Sequence, residues 1–340
     1  MAKILVTGGT GFIGSHTVVE LHNAGYEVII VDDFSNSNPK ILQQLETITG
    51  SKPEFVELDL CDEGKVQDFV SKHSDITGVI HFAAFKAVGE SVQQPLKYYR
   101  NNFYSLINLI NAFDSKVSLV FSSSCTVYGQ PDVLPVTESA PTKKAESPYG
   151  NTKQIAEEIL QETCAVTPTL KVTSLRYFNP VGAHHTALIG ELPIGVPQNL
   201  IPFITQSAIG KRGPITVHGN DYDTPDGSAI RDYIHVVDLA KAHVAAIKRL
   251  EGNQASTNYE VFNLGTGKGS TVLEIIKAFE ESTGVKLNYT IGPRREGDIE
   301  KVWGDVTKSA NELGWKAELG VNEMMSSAWK WEQYLQDNPF

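Results

Sequence analysis

The sequence predicts an α/β protein: a Rossmann-type, doubly wound parallel sheet with a smaller, discontinuous α/β lobe beside it. Three observations carry that expectation. Short β-branched runs alternate with helix-length stretches up to about residue 180, a glycine turn follows the first run, and the texture becomes irregular after Phe178.

The runs are KILVT (3–7), EVIIVD (27–32), EFVEL (54–58), GVIHFAA (78–84), SLVFSS (118–123) and KVTSLRYF (171–178), each read as a buried strand. Segments 12–24, 92–113 and 149–165 have helical length. Alternation of this kind implies right-handed crossovers, a parallel sheet, and ligands bound at the carboxyl ends of the strands. Residues 180–230 are rich in Gly and Pro and poor in periodicity, a texture typical of functional loops. A helical pattern returns over 236–250 and a strand over 259–265. The expected division is a dinucleotide domain of 1–178 plus about 231–263, and a second domain of about 179–230 and 264–340.

The bulk numbers narrow the class. With 41% apolar and 20% charged residues, 340 residues can bury a sizeable core, and a net charge of −11 disfavours nucleic acid as a partner. Cys61, Cys125 and Cys164 are few and lack metal-ligand spacing, which points to a reducing compartment and to no metal site. The opening MAKILVTGG has no signal-peptide pattern, and no stretch reaches membrane-spanning length. The expectation is a soluble, cytoplasmic protein without a membrane partner.

VTGGTGFIGSH follows the first strand and opens the first helix, reading as Gly9-x-Gly11-x-x-Gly14 or Gly8-x-x-Gly11-x-x-Gly14. Either reading gives a tight turn and close backbone approach beneath a pyrophosphate at the helix N-terminus. A glycine motif alone could be plain turn chemistry, but its place after strand one makes it a dinucleotide site. Asp32 ends the second strand, where a carboxylate can accept from the adenosine ribose hydroxyls. The DFSNSN that follows offers no Arg or Lys for a 2′-phosphate, so the expected cofactor is NAD rather than NADP.

SPYGNTK places Tyr149 and Lys153 four residues apart, after a Ser-Pro helix start. By itself such a pair is usually a solvated helix face. A free phenol titrates near 10, too high for a base at neutral pH, and an ammonium one turn away with a cationic nicotinamide nearby is expected to lower it. FSSSCTVYG runs off the fifth strand at the same rim, so Ser124 is expected to hydrogen-bond the oxygen that exchanges a proton.

At this point the resemblance becomes specific. VTGGTGFIGSH, HFAAFKAVGES, YYRNN, FSSSCTVYG, SPYGNTK, RYFNPVGAH, DGSAIRDYIHVVDLA and PRREGD together resemble the extended short-chain dehydrogenase/reductase family, and within it the UDP-galactose 4-epimerases, over essentially the whole chain. The resemblance implies that Tyr149 is the base and acid, that Lys153 binds the nicotinamide ribose and tunes the phenol, and that Ser124 assists. It places cofactor contacts at Gly8, Gly11, Phe12, Ile13, Gly14, Asp32, Asn36, Asp59, Leu60, Phe82, Ala83, Lys86, Asn101 and Phe178 as well as the catalytic three. It places UDP-sugar contacts at Lys86, Thr126, Asn179, Asn199, Leu200, Thr216, Val217, His218, Arg231, Tyr233, Arg295, Asp298 and Val302, again beside Ser124 and Tyr149. A homodimer formed through a helical face of the first domain is the family's expectation.

The related 4,6-dehydratases carry an Asp-Glu pair directly after the serine/threonine position. Cys125-Thr126 stand there in this sequence, so C4 oxidation can be followed only by return of the hydride. Arg231 and Arg295 match diphosphate positions, for which a guanidinium fork is suited; surface salt bridging is the plain alternative. Arg294, His184, His185 and His243 are read as solvated or structural. Val302 stands where many bacterial relatives have tyrosine, and a small residue there goes with room for an N-acetyl group at C2. The leading expectation is thus a UDP-glucose/UDP-galactose 4-epimerase that also takes UDP-N-acetylhexosamines. Behind it stand a 4-epimerase working mainly on the N-acetylated sugars, a nucleotide-sugar dehydratase or reductase, and a non-catalytic NAD sensor or scaffold.

Overall fold

The computed structural model describes residues 2–114, 116–295 and 299–340. Six strands come first along the chain: β1 (Lys3–Thr7), β2 (Glu27–Asp32), β3 (Glu54–Glu57), β4 (Ile76–His81), β5 (Ser118–Ser122) and β6 (Lys171–Tyr177). Between them run α1 (Phe12–Asn23), α2 (Lys40–Thr49), α3 (Glu63–Lys72), α4 (Val88–Gln93), α5 (Pro95–Ala112) and α6 (Pro148–Val166). Then follow β7 (Asn179–Val181), α7 (Leu200–Ala208), β8 (Ile215–His218), β9 (Ile230–Arg231), β10 (Tyr233–His235), α8 (Val236–Glu251) and β11 (Tyr259–Leu264). The chain closes with β12 (Ser270–Thr271), α9 (Val272–Thr283), β13 (Tyr289–Gly292), β14 (Lys301–Val302), α10 (Thr307–Asn311) and α11 (Val321–Asp337).

The main sheet is parallel throughout, in the order β11-β6-β5-β4-β1-β2-β3. Its strands read as continuous apolar runs because both faces are covered. Along β1, Ile4 and Val6 join Ile30, Ile80 and Val120 in one core with α1 and α8. Leu5, between them, joins Ile29, Val31, Val79 and Leu119 in a second core with α3, α5 and α6. Strand order reverses between β1 and β4, which opens a crevice at the carboxyl ends of these strands.

A third core (Ile201, Ile204, Val217, Phe279, Met324 and others) holds α7, β8, α9 and α11 together beside the sheet. The expected helix over 92–113 is two helices. Pro95 cannot continue a helix through its missing N–H and disfavours a helical Gln94, so the break falls there and Pro95 opens α5. The expected 78–84 strand runs from Ile76 and ends at His81. β10 pairs with β7, so residues expected on opposite sides of a domain boundary at 230 share a ribbon. Among the described residues, no helix is long and apolar enough to cross a membrane, and no group of His, Cys, Asp and Glu is placed to hold a metal ion.

Candidate active site

Ser147 caps α6, its Oγ accepting from the Gly150 amide at 3.1 Å, and Pro148 occupies the first turn. Tyr149 and Lys153 therefore start their helix at the rim where β5 ends. The chain leaving β5 passes through Ser124 into a 3-10 turn, Cys125–Tyr128, and the Ser124 Oγ accepts from the Thr126 amide at 3.2 Å. Thr126 Oγ1 is buried with no partner among the described groups.

Lys153 is 5% exposed; its Nζ donates to Ser122 O at 2.6 Å and lies 4.9 Å over the Phe121 ring. Burial lowers its ammonium to about 8, opposed by the Glu157 carboxylate one turn further on. Tyr149 is half-buried, and its phenol is pushed up to about 12 by burial; a hydrogen bond with Ser124 pulls the other way. In the protein alone, burial outweighs the lowering expected of Lys153. The ammonium is turned onto a strand-end carbonyl, and Ser124 is the group that favours the phenolate.

The turn after β1 has the shape a dinucleotide needs. Gly8 adopts φ +68°, and a Cβ there would stand 2.9 Å from Ala83 N; one on Gly14 would stand 2.2 Å from Gly8 O. Gly11 caps α1 without any side-chain cap, which leaves the helix's first amides unclaimed by a side chain. Asp32, 8% exposed, accepts from Thr10 N at 3.1 Å, Phe34 N at 3.0 Å and Ser37 Oγ at 2.9 Å, locking the turn to the loop after β2. A carboxylate has about four acceptor sites, so one remains for a ribose hydroxyl.

Around this crevice lie Phe12 and Ile13 on α1, exposed Asn36, and Phe82 and Ala83 after β4, with the Phe82 ring 4.6 Å from that of His243. Exposed Asp59 accepts from the Cys61 amide at 2.8 Å, and half-buried Asn101 donates to Asn102 at 3.1 Å. Leu60, expected as a contact, is 4% exposed with its side chain inside the second core, and only its backbone can serve a ligand. Lys86 is exposed above the Phe12 ring at 5.8 Å.

On the other lobe, Asn179 is half-buried beside Phe178, and Asn199 and Leu200 open α7. Thr216 and His218 present their outer faces, but Val217 between them is fully buried in the third core, as strand alternation dictates. Tyr233, 5% exposed, packs in the same core. Arg231 donates to Ile230 O at 2.8 Å, and its charge is felt at Cys125, which places it near the turn after β5. Val302 pairs with Arg231 across β14 and β9, and packs at 4% exposure with Phe178 and Val127. Arg295 is exposed; Arg294 pairs with Asp221 at 2.7 Å. Asp298 lies outside the described residues. His184 and His243 are buried and His185 is exposed.

Glu157 went unread in the sequence, although its four-residue spacing from Lys153 was the signal. Its carboxylate, 6% exposed, accepts from Ser123 Oγ at 2.5 Å and from Arg176 Nη2 at 2.5 Å and Nε at 3.0 Å. It fixes the strand end to which both Lys153 and Ser124 are tied.

Residues 5–328 match the family model described as GDP-mannose 4,6 dehydratase. The chain is 47% identical over 332 residues to a UDP-glucose 4-epimerase of Haemophilus influenzae, covering 97% of each. Its fold superposes with a TM-score of 0.95 on a UDP-glucose-4-epimerase from Stenotrophomonas maltophila with bound NAD and formylated UDP-arabinopyranose, at 45% identity and 99% coverage of each chain. A Bifidobacterium longum UDP-glucose 4-epimerase in complex with NAD+ and UDP gives 0.92, at 46% identity and 99% coverage of each.

The chain belongs to the UDP-glucose 4-epimerase family. The dehydratase name of the broader family model and the epimerase names of these relatives differ, and the turn after β5 agrees with the epimerases. Eliminating water from a sugar needs acid-base groups beyond those of an oxidation at C4, and Cys125 and Thr126 offer no carboxylic acid; burial holds the Cys125 thiol up at about 12.

Proposed function

We propose that the protein interconverts UDP-glucose and UDP-galactose by reversible oxidation at C4, through a 4-keto sugar and with NAD retained, and that it also accepts UDP-N-acetylhexosamines. The observation that carries this reading is the Ser124–Tyr149 pair beside Lys153, at the carboxyl edge of the sheet, with no carboxylic acid in the two positions after Ser124. The Gly8–Gly14 turn and Asp32 would hold NAD, with Phe12, Ile13, Asn36, Asp59, Leu60, Phe82, Ala83, Lys86, Asn101 and Phe178 around it. When bound there, NAD would supply the hydride acceptor and donor for C4 and a positive charge that favours the phenolate.

The chain's own residues manage the proton. The single Ser124 hydroxyl bridges the phenol and O4, donating to one while accepting from the other, and Tyr149 takes the O4 proton as C4 is oxidised and returns it on reduction. A phenol at about 12 keeps its proton at neutral pH, so ionisation needs cations close by. Lys153 supplies one, held charged by Glu157. With the diphosphate gripped by Arg231 and Arg295 and the sugar held loosely, the keto sugar can present its other face before reduction, which yields the C4 epimer.

In this reading 1–178 plus about 231–263 form the NAD-holding domain, and about 179–230 and 264–340 hold the nucleotide sugar. Exposed Val88, Val92, Leu96, Tyr104 and Ile107 along α4 and α5 form an apolar face suited to a second copy of the chain. Three free cysteines fit a cytoplasmic setting. The test is incubation of purified protein with UDP-glucose and with UDP-GlcNAc separately, without added NAD. Formation of the matching galacto-epimers is expected. Absence of any epimer from UDP-glucose would overturn the reading.

A further inference from the structure

Lys86 and Asn199 stand on opposite lobes, one after β4 and one at the start of α7, yet both donate to the same carboxylate oxygen. Glu191 Oε1 accepts from Asn199 Nδ2 at 2.6 Å and from Lys86 Nζ at 3.3 Å. The Glu191 backbone is anchored in the second lobe, where its carbonyl accepts from Trp331 Nε1 on α11 at 2.8 Å. Gly190 before it lies so close to that indole that a Cβ would stand 2.5 Å from the ring. The backbone is thus pinned, and the side chain, 12% exposed, spans the crevice.

Two features argue against a purely structural purpose. Asn199 is the N-cap of α7 but makes no side-chain cap bond, although asparagine at that position ordinarily turns its oxygen onto the helix amides. Its amide is committed to Glu191 instead. The Lys86 side chain is 46% exposed, and an ion pair so open to solvent adds little to stability. What the arrangement does achieve is orientation. An ammonium has three donors and an amide nitrogen two, so Glu191 takes one from each and leaves the others aimed elsewhere.

We propose that Glu191 is the positioning residue of the nucleotide-sugar pocket: a strut rooted on the second lobe that sets Lys86 and Asn199 in place to donate to substrate oxygens. This rests on the epimerase reading given above. Loss of the strut frees two side chains that binding must then order, so the cost falls on substrate affinity rather than on the C4 chemistry.

The experiment compares wild type, Glu191→Ala, Glu191→Gln, Asn199→Ala and the Glu191→Ala/Asn199→Ala double variant, reading KM for UDP-glucose, kcat and NAD content. Glu191→Ala is expected to raise KM roughly tenfold with kcat within about threefold of wild type and NAD still bound. Glu191→Gln keeps an acceptor for Asn199 but loses the charge facing Lys86, so its KM should fall between the two. It also carries the test alone should Glu191→Ala not fold. Asn199→Ala should add little once Glu191 is gone. A wild-type KM in Glu191→Gln and Glu191→Ala, or strictly additive effects in the double variant, overturns the inference. Failure of the wild type itself to epimerise UDP-glucose would instead sink the reading beneath it.

Discussion

The Lys153 ammonium donates to the Ser122 carbonyl at 2.6 Å and so stitches the first turns of α6 to the end of β5. The helix that carries Tyr149 is thereby tied directly to the serine-bearing strand end, with Ser124 two residues beyond the stitch. The proton exchange proposed for Tyr149 would require the phenol and the serine hydroxyl to be held together, and this tie favours that arrangement.

Tyr149→Phe removes only the phenolic oxygen. Purified variant should still carry NAD at wild-type occupancy, read from its absorbance after denaturation, while kcat falls by about two to four orders of magnitude. Turnover near the wild-type level would take the proton-exchange role away from Tyr149.

Lys153 also predicts a stability signature. Its folded value near 8 lies below the ordinary 10.5, so between those pH values the unfolded chain binds more protons than the folded one. Stability must therefore rise with pH across that window. Below about 8 both states are protonated and burial of the charge is a standing cost. Urea unfolding of the NAD-free protein from pH 7 to 10 should show the rise, and Lys153→Met should flatten it. An identical slope in the two proteins would contradict the buried ammonium.

Glu157 tests the support beneath the site. Glu157→Ala strands the buried Arg176 guanidinium and should cost about 3–5 kcal/mol of stability, together with a loss in kcat as the Ser123 anchor goes. Adding Arg176→Met should restore most of the stability without restoring kcat. Recovery of both together would mean that Glu157 acts only through the fold.

The sequence announced whatever depends on local spacing. The glycine turn, the Ser-Pro start of α6 and the Tyr149–Lys153 interval are all set within a few residues, and each lies where its spacing placed it. Directions of side chains inside strands and caps were less legible. Val217 and Leu60 are expected as ligand contacts from the sequence, but alternation and packing send their side chains into the core. Whether Lys153 faces the phenol or a carbonyl depends on where β5 ends in space, which no motif encodes. Glu191 was invisible for the same reason: its partners are 105 and 8 residues away, on two lobes.

Val302 predicts the sugar range. It is 4% exposed, packs with Phe178, Val127 and Tyr128, and pairs across β14 and β9 with Arg231, which is proposed above to hold the diphosphate. A tyrosine there cannot be taken up by the packed cluster without displacing Phe178 or projecting toward the sugar. Val302→Tyr should therefore lose turnover of UDP-GalNAc preferentially, by about 10- to 200-fold in kcat/KM, while UDP-galactose turnover falls much less. Overpacking should also cost about 1–3 kcal/mol of stability, which thermal unfolding of the variant would read separately. Parallel assays with the two sugars separate these effects, because a general loss of folded enzyme lowers both rates together. Equal losses on both sugars, or wild-type selectivity in the variant, would remove Val302 as the determinant of N-acetyl tolerance.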